Sequence, residues 1–294
     1  MSKFRLAWAR QCGERKAKEF GFTAFPVDPI AIAEAEDIEV MPKPPDQPGV
    51  SGGIIFLPVG TSIFYATNIA SRGFQRFTVA HELGHYFLEG HPEEIQKTAP
   101  LHVSRAGFTQ GSSSIELEAD HFASGLLLPT RLVQQSLKRG RVGLAGIEDL
   151  ATASECSLTA SAIRAAECSP YPMAVVVSRQ DRVCYGFLSD GFKQLSPRAF
   201  PRKGDLLPET ATREFNSDAS NVEHGRRATS ETNLAEWFGG APGIKLDEEI
   251  IGLGSYGYTL TVFSSEELPD EPDEAEDENE ALRESYTPRF AYGR

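Results

Sequence analysis

Residues 76–87, RFTVAHELGHYF, decide how the rest of the chain is read. From Ser71 to Leu88 apolar residues recur at helical spacing, with Phe74, Phe77, Ala80, Leu83, Gly84, Phe87 and Leu88 along one side and Gly90 as the stop. A helix is expected, and it carries His81, Glu82 and His85 in an HExxH pattern. Positions four apart on a helix differ by only about 40° in azimuth, so both imidazoles project from one face and can reach a single zinc ion. Glu82 flanks the pair. Its carboxylate is badly placed to share the ion and well placed to take a proton from a water at the open coordination position. The pattern arises by accident in roughly one chain in a hundred of this length, so a third ligand has to be found.

Two candidates present themselves. His91 would extend the pattern to HExxHxxxxxH, the spacing of metzincins, in which the helix stops and the chain turns back to the metal. That turn needs glycine at position 88, where this chain has Leu88, and no methionine turn follows, since Met173 beside a strand is the one methionine downstream. His91 is read instead as a surface histidine beyond the helix cap. Glu116 is the preferred ligand. In Glu116-Leu117-Glu118-Ala119-Asp120 the first and last residues stand i and i+4 on one helix face, so Glu116 can bind zinc while Asp120 accepts the free ring N–H of a ligand histidine. Glu118 lies about 200° round that helix and is the fallback. Tyr86 and His121 are the nearby candidates for a donor to a reaction oxyanion, though each reads equally well as an ordinary packing or polar neighbour.

Outward from this core, Glu14 to Glu36 reads as two short helices broken at Pro26 and Pro29, and Met41 to Gly53 as a proline and glycine loop. IIFLPV and TSIFYATNI then read as a strand hairpin. Ile115 to Leu128, after the polar stretch GFTQGSSS and before Pro129, is a second strong helix, and Leu132 to Ala166 continues as helices. Past Pro170 the pattern changes to strands, MAVVVS, VCYGFLS and TLTVFSS, in a separate β-containing domain. Ile147 to Glu167 reads like a helix-turn-helix with its turn near Glu155 and Cys156. Its second helix offers Arg164 as the one base, with Lys138, Arg139 and Arg141 upstream, so any DNA contact is expected to be weak.

Composition sets the outer bounds. With 40% apolar and 24% charged residues the 294-residue chain is of ordinary globular type. The net charge of −13 is concentrated: Ser265 to Ser285 holds eleven acids and Arg283 as its one base, and without it the balance is 31 acids to 28 bases. That segment is expected to be a solvated, disordered tail. No apolar run approaches the roughly 18 residues of a membrane span and the start carries interleaved charges, so a cytoplasmic protein is expected. Cys12, Cys156, Cys168 and Cys184 form no CxxC pair and are expected to be buried, reduced thiols.

RFTVAHELGHYF followed about thirty residues later by IELEADHFASGLLLP resembles the ImmA/IrrE metallopeptidase family, over about Glu14 to Leu150. The resemblance implies an α+β chain with a zincin-like (gluzincin) minimal fold, and an intracellular endopeptidase using Zn2+, with Mn2+ as an alternative. Its implied substrate is a helix-turn-helix (XRE-type) repressor, whose cleavage derepresses stress-response or mobile-element genes. Carried over by residue, it matches His81, His85 and Glu116 as ligands and Glu82 as base. Asp120 fits the family's Asn or Asp position, while the histidine often found soon after HELGH is displaced to His91. Longer, IrrE-like members add a helix-turn-helix segment and a GAF-like domain. The corresponding division here is 1–130, 131–168, 169–264 and an acidic tail at 265–294. The alternative is a non-catalytic metal-binding or DNA-binding regulator.

Overall fold

The helix bearing HELGH packs on a small sheet and on a second helix in a computed structural model that describes residues 3–44, 49–68, 71–105 and 114–265. Among these residues, twelve α-helices and two sheets make a mixed α+β chain. It divides into two units, Met1–Lys138 with Glu148–Ser161, and Arg139–Ile147 with Ala162–Arg294.

The first unit opens with α1 (Lys3–Glu19) and α2 (Pro29–Ala35). Helix α1 begins well before the expected Glu14, because Ala9 and Cys12 join Ala17 in the core while its charges face outward. Asp28 caps α2, accepting from the Ile30 amide at 3.0 Å, with Pro29 at the first turn. There follow β1 (Glu39–Lys43), β2 (Val50–Leu57), β3 (Gly60–Ala66), α3 (Arg72–Phe87), α4 (His91–Thr98), β4 (Leu101–Arg105), α5 (Ser114–Leu127) and α6 (Thr130–Arg139). The stretch expected as a loop from Met41 to Gly53 thus contains the end of one strand and the start of another. Pro42 is tolerated because β1 is an edge strand.

The sheet order is β1-β3-β2-β4, with β1 parallel to β3 and the other pairs antiparallel. Ile54 and Ile63 lie opposite each other and pack in one core with Val79, Leu83, Phe122 and Leu126. In β4, a strand the sequence reading passed over, His102 stands opposite Ile54. Directly opposed residues share a face of the sheet, so His102 points to the side on which α3 lies. Ser71 caps α3 through the Phe74 amide, and Gly90, in the left-handed region at φ 89°, reverses the chain into α4.

Two helices, α7 (Gly143–Ser154) and α8 (Leu158–Cys168), run across the division between the units, and Glu155 at φ 55° makes the turn between them. The second unit continues with β5 (Met173–Arg179), β6 (Arg182–Leu188), α9 (Asp190–Gln194), α10 (Ala211–Ser217), α11 (Ala219–Glu223), β7 (Arg227–Asn233), α12 (Leu234–Phe238), β8 (Lys245–Gly252) and β9 (Thr259–Ser264). The strands form an antiparallel sheet in the order β6-β5-β9-β8-β7, with Phe192, Trp237, Phe238 and Phe263 in its core. Among the described residues no helix is long and apolar enough to cross a membrane. The acidic segment from Glu266 onward, expected to be disordered, lies outside the described residues. All four cysteines are free thiols; Cys12 and Cys168 are buried, whereas Cys156 and Cys184 are only half-buried, contrary to the expectation for the set.

Candidate metal centre

Gly84 sets the distance between the two helices that matter. A Cβ built there would stand 3.1 Å from Ala119 Cα and 3.3 Å from Ala119 Cβ, so α3 and α5 meet at a point where α3 has no side chain. That approach carries Glu116 to the histidines. Its Oε2 lies 3.4 Å from His81 Nε2 and its Oε1 3.4 Å from His85 Nε2, and the two Nε2 atoms are 3.1 Å apart. His102 Nε2 comes within 3.0 Å of Glu116 Oε1 from β4. The four residues can each offer one ligand atom such that all lie within 4.8 Å of one another.

The surroundings fix the rings. Asp120 Oδ1 lies 2.9 Å from His81 Nδ1, which leaves Nε2 to face the cluster. Glu82 is wholly buried, and neither of its carboxylate oxygens has a hydrogen-bond partner. A buried, unpartnered carboxylate is costly unless something at the site answers it. Converging imidazole nitrogens beside a carboxylate form a donor set suited to a divalent cation, and the vacant acceptors of Glu82 suit a water held next to it. The residues therefore fit a zinc ion, and a His and carboxylate set also accommodates manganese.

Electrostatics agree with this division of labour. Burial opposes charge on His81, but Asp120 and Glu116 outweigh it and raise the imidazole to about 10. Burial dominates at His85 and lowers it to about 3, so the ring is neutral. Glu116 is buried as well, yet His102, His81 and His85 hold its carboxyl far below the usual range. Burial pushes Glu82 upward, against the charges of His81 and His102, in the direction that suits a base working near neutrality. For His102, Glu116 and Glu82 outweigh burial and raise the imidazole.

The structure thus gathers His81, His85, Glu82, Glu116 and Asp120, all named from the sequence, and adds His102, which was not. It departs from the sequence reading elsewhere. His91 is no surface residue: it is 1% exposed, with its Nδ1 3.2 Å from His85 Nδ1, behind the ligand ring. Glu118, the fallback ligand, faces His91 and Arg5 instead. Tyr86 hydrogen-bonds Glu36, and His121 Nδ1 lies 3.4 Å from Arg10, so both candidate oxyanion donors are engaged away from the cluster.

A helix bearing HExxH, crossed by a second helix that contributes a carboxylate and backed by a four-stranded sheet, places this unit among HExxH metal-centre domains. Residues 33–165 match the IrrE N-terminal-like domain, Peptidase_M78, and the chain carries a domain of that peptidase family. Among solved structures it is similar to a Mycobacterium tuberculosis transcriptional regulator, at 14% identity and a TM-score of 0.53 over 87% of this chain and 76% of that one, a likeness of fold. No curated protein matches the sequence.

Proposed function

We propose that the chain is a zinc-dependent endopeptidase of the cytoplasm that cuts a helix-turn-helix repressor and so derepresses the genes it holds silent. His81, His85 and Glu116 hold the ion. The observation that carries this reading is Glu82, a buried carboxylate with two unpartnered oxygens beside a convergent His-His-Glu set. A purely structural site has no use for such a base.

Bound zinc supplies Lewis acidity, polarising the scissile carbonyl and bringing the pKa of its water towards 7. Glu82 takes a proton from the attacking water at a carboxylate oxygen and delivers it to the leaving amine. Asp120 fixes the His81 ring by accepting from Nδ1–H. His102 is held in its charged form by Glu116 and Glu82 and is partly open to solvent, so its ring N–H is the donor to the developing oxyanion. β4 is a sheet edge among the described residues, and an extended substrate segment can pair along it beside His102. In this reading the five-stranded sheet is a GAF-like sensor.

DNA binding is the weaker reading. Arg164, the base expected to face DNA, is 2% exposed and paired to Glu167 at 2.8 Å. The likeness to a transcriptional regulator is consistent with a regulatory output reached through proteolysis. The test is to incubate the chain and a Glu82→Gln variant, both loaded with zinc, with the repressor encoded beside it and to look for a discrete cut by mass spectrometry. Cutting by the parent and none by the variant is expected; equal cutting by both sinks the mechanism.

A further inference from the structure

His91 is buried at the first turn of α4, where a histidine has no local reason to be, and Gly90 turns the chain so as to put it there. The chain does turn back towards the metal cluster, but it delivers His91 to the far nitrogen of His85. Behind His91 the line continues: His91 Nε2 lies 3.3 Å from Glu118 Oε2, and that same oxygen accepts from Arg5 NH2 at 2.6 Å. His85 is wholly buried, Glu118 is 4% exposed, and Arg5 reaches the surface from α1.

We infer that His91, Glu118 and Arg5 are positioning residues that fix the protonation pattern and ring orientation of His85. The inference rests on the metal reading above. An imidazole that ligates through Nε2 carries its proton on Nδ1, so His85 donates to His91 Nδ1. His91 then bears its own proton on Nε2 and donates to Glu118, which as a carboxylate can only accept. Arg5 neutralises that carboxylate, which would otherwise be a buried, unpaired charge. Every donor in the line meets an acceptor in this direction. Reversing the His91 tautomer sets one N–H against the N–H of His85 and a lone pair against the carboxylate. The two ligand histidines are therefore held differently: His81 directly by Asp120, and His85 through an interposed imidazole.

The experiment compares zinc affinity in the full-length parent, His91→Leu and His91→Gln by competition with a chromophoric chelator. The visible spectrum of each Co2+-loaded form is recorded, and thermal unfolding without metal checks that each chain is folded. The leucine variant removes the acceptor at similar bulk and is expected to bind about 10- to 100-fold more weakly, with an altered cobalt spectrum. Glutamine can accept through its carbonyl and donate through its amide, so its affinity is expected within about three-fold of the parent, with the parent spectrum. Parent-like affinity in His91→Leu, or equal losses in both variants, overturns the inference. A parent chain that takes up no zinc overturns the metal reading itself, before any variant is measured.

Discussion

The spacing of α3 and α5 offers the most searching perturbation, because one methyl group at Gly84 acts on it without touching a ligand. A Cβ there meets Ala119 Cα at 3.1 Å and its Cβ and carbonyl oxygen at 3.3 Å, and these are backbone and methyl atoms with no flexible side chain to swing aside. Ordinary carbon contacts lie at about 3.5–4.0 Å, so Gly84→Ala must part the helices by roughly 0.3–0.7 Å. Glu116 is one turn from Ala119 on the same helix and moves with it, whereas a metal site tolerates ligand displacements of only about 0.2 Å. The strain costs about 1–3 kcal/mol of stability. If a similar amount is lost from ion binding, zinc affinity falls about 10- to 100-fold at 1.4 kcal/mol per decade. Chelator competition and a thermal melt of the metal-free chain measure the two effects separately. A Gly84→Ala chain with parental zinc affinity and melting temperature would refute the claim that this contact sets the ligand geometry.

Other consequences are as sharp. His102→Ala is expected to retain bound zinc while losing about 10²–10³ in turnover, the cost of one oxyanion donor, measured as cleavage rate against metal content; loss of the zinc itself would make His102 a ligand instead. Glu155 lies 3.2 Å from both Arg72 and Arg76, and Arg76 is buried with a second bond to the Val27 carbonyl. Glu155→Ala strips a partner from that buried guanidinium and is expected to cost about 1–3 kcal/mol in a urea melt; an unshifted midpoint would show the pair to be idle. Burial pushes the thiols of Cys12 and Cys156 up, so both should alkylate slowly at pH 8 in the native chain and rapidly in urea, followed by mass spectrometry. Equal rates for Cys156 in the two states would contradict the packing of the turn that holds it.

The parts of the site that lie on single helices were legible in the sequence. His81 and His85 declare themselves because a four-residue spacing fixes their relation within one helix, and Glu116 and Asp120 repeat the device on α5. His102 was not legible, since its place depends on the pairing of β4 with β2 rather than on anything local. The alternation of Leu101, His102, Val103 and Ser104 was its one signal, and it is short. His91 was misjudged because exposure was inferred from a position past a cap, while the left-handed Gly90 folds it inward. Helix α1 was under-read because its buried face is built of small residues, Ala9 and Cys12 among them, whose periodicity is faint beside the charges. Strand β7, Arg-Ala-Thr-Ser-Glu-Thr-Asn, was missed for a related reason: as an edge strand it buries little and carries almost no apolar pattern.

The most direct measurement is X-ray absorption at the zinc edge of the loaded chain, set beside its Glu116→Ala variant. The predicted parent shell has two imidazole nitrogens at about 2.0–2.1 Å with carboxylate and water oxygens at about 2.0–2.2 Å, and the variant loses the ion or the carboxylate contribution. A shell containing sulfur, a shell of oxygens alone, or one unchanged by replacing Glu116 would contradict the account.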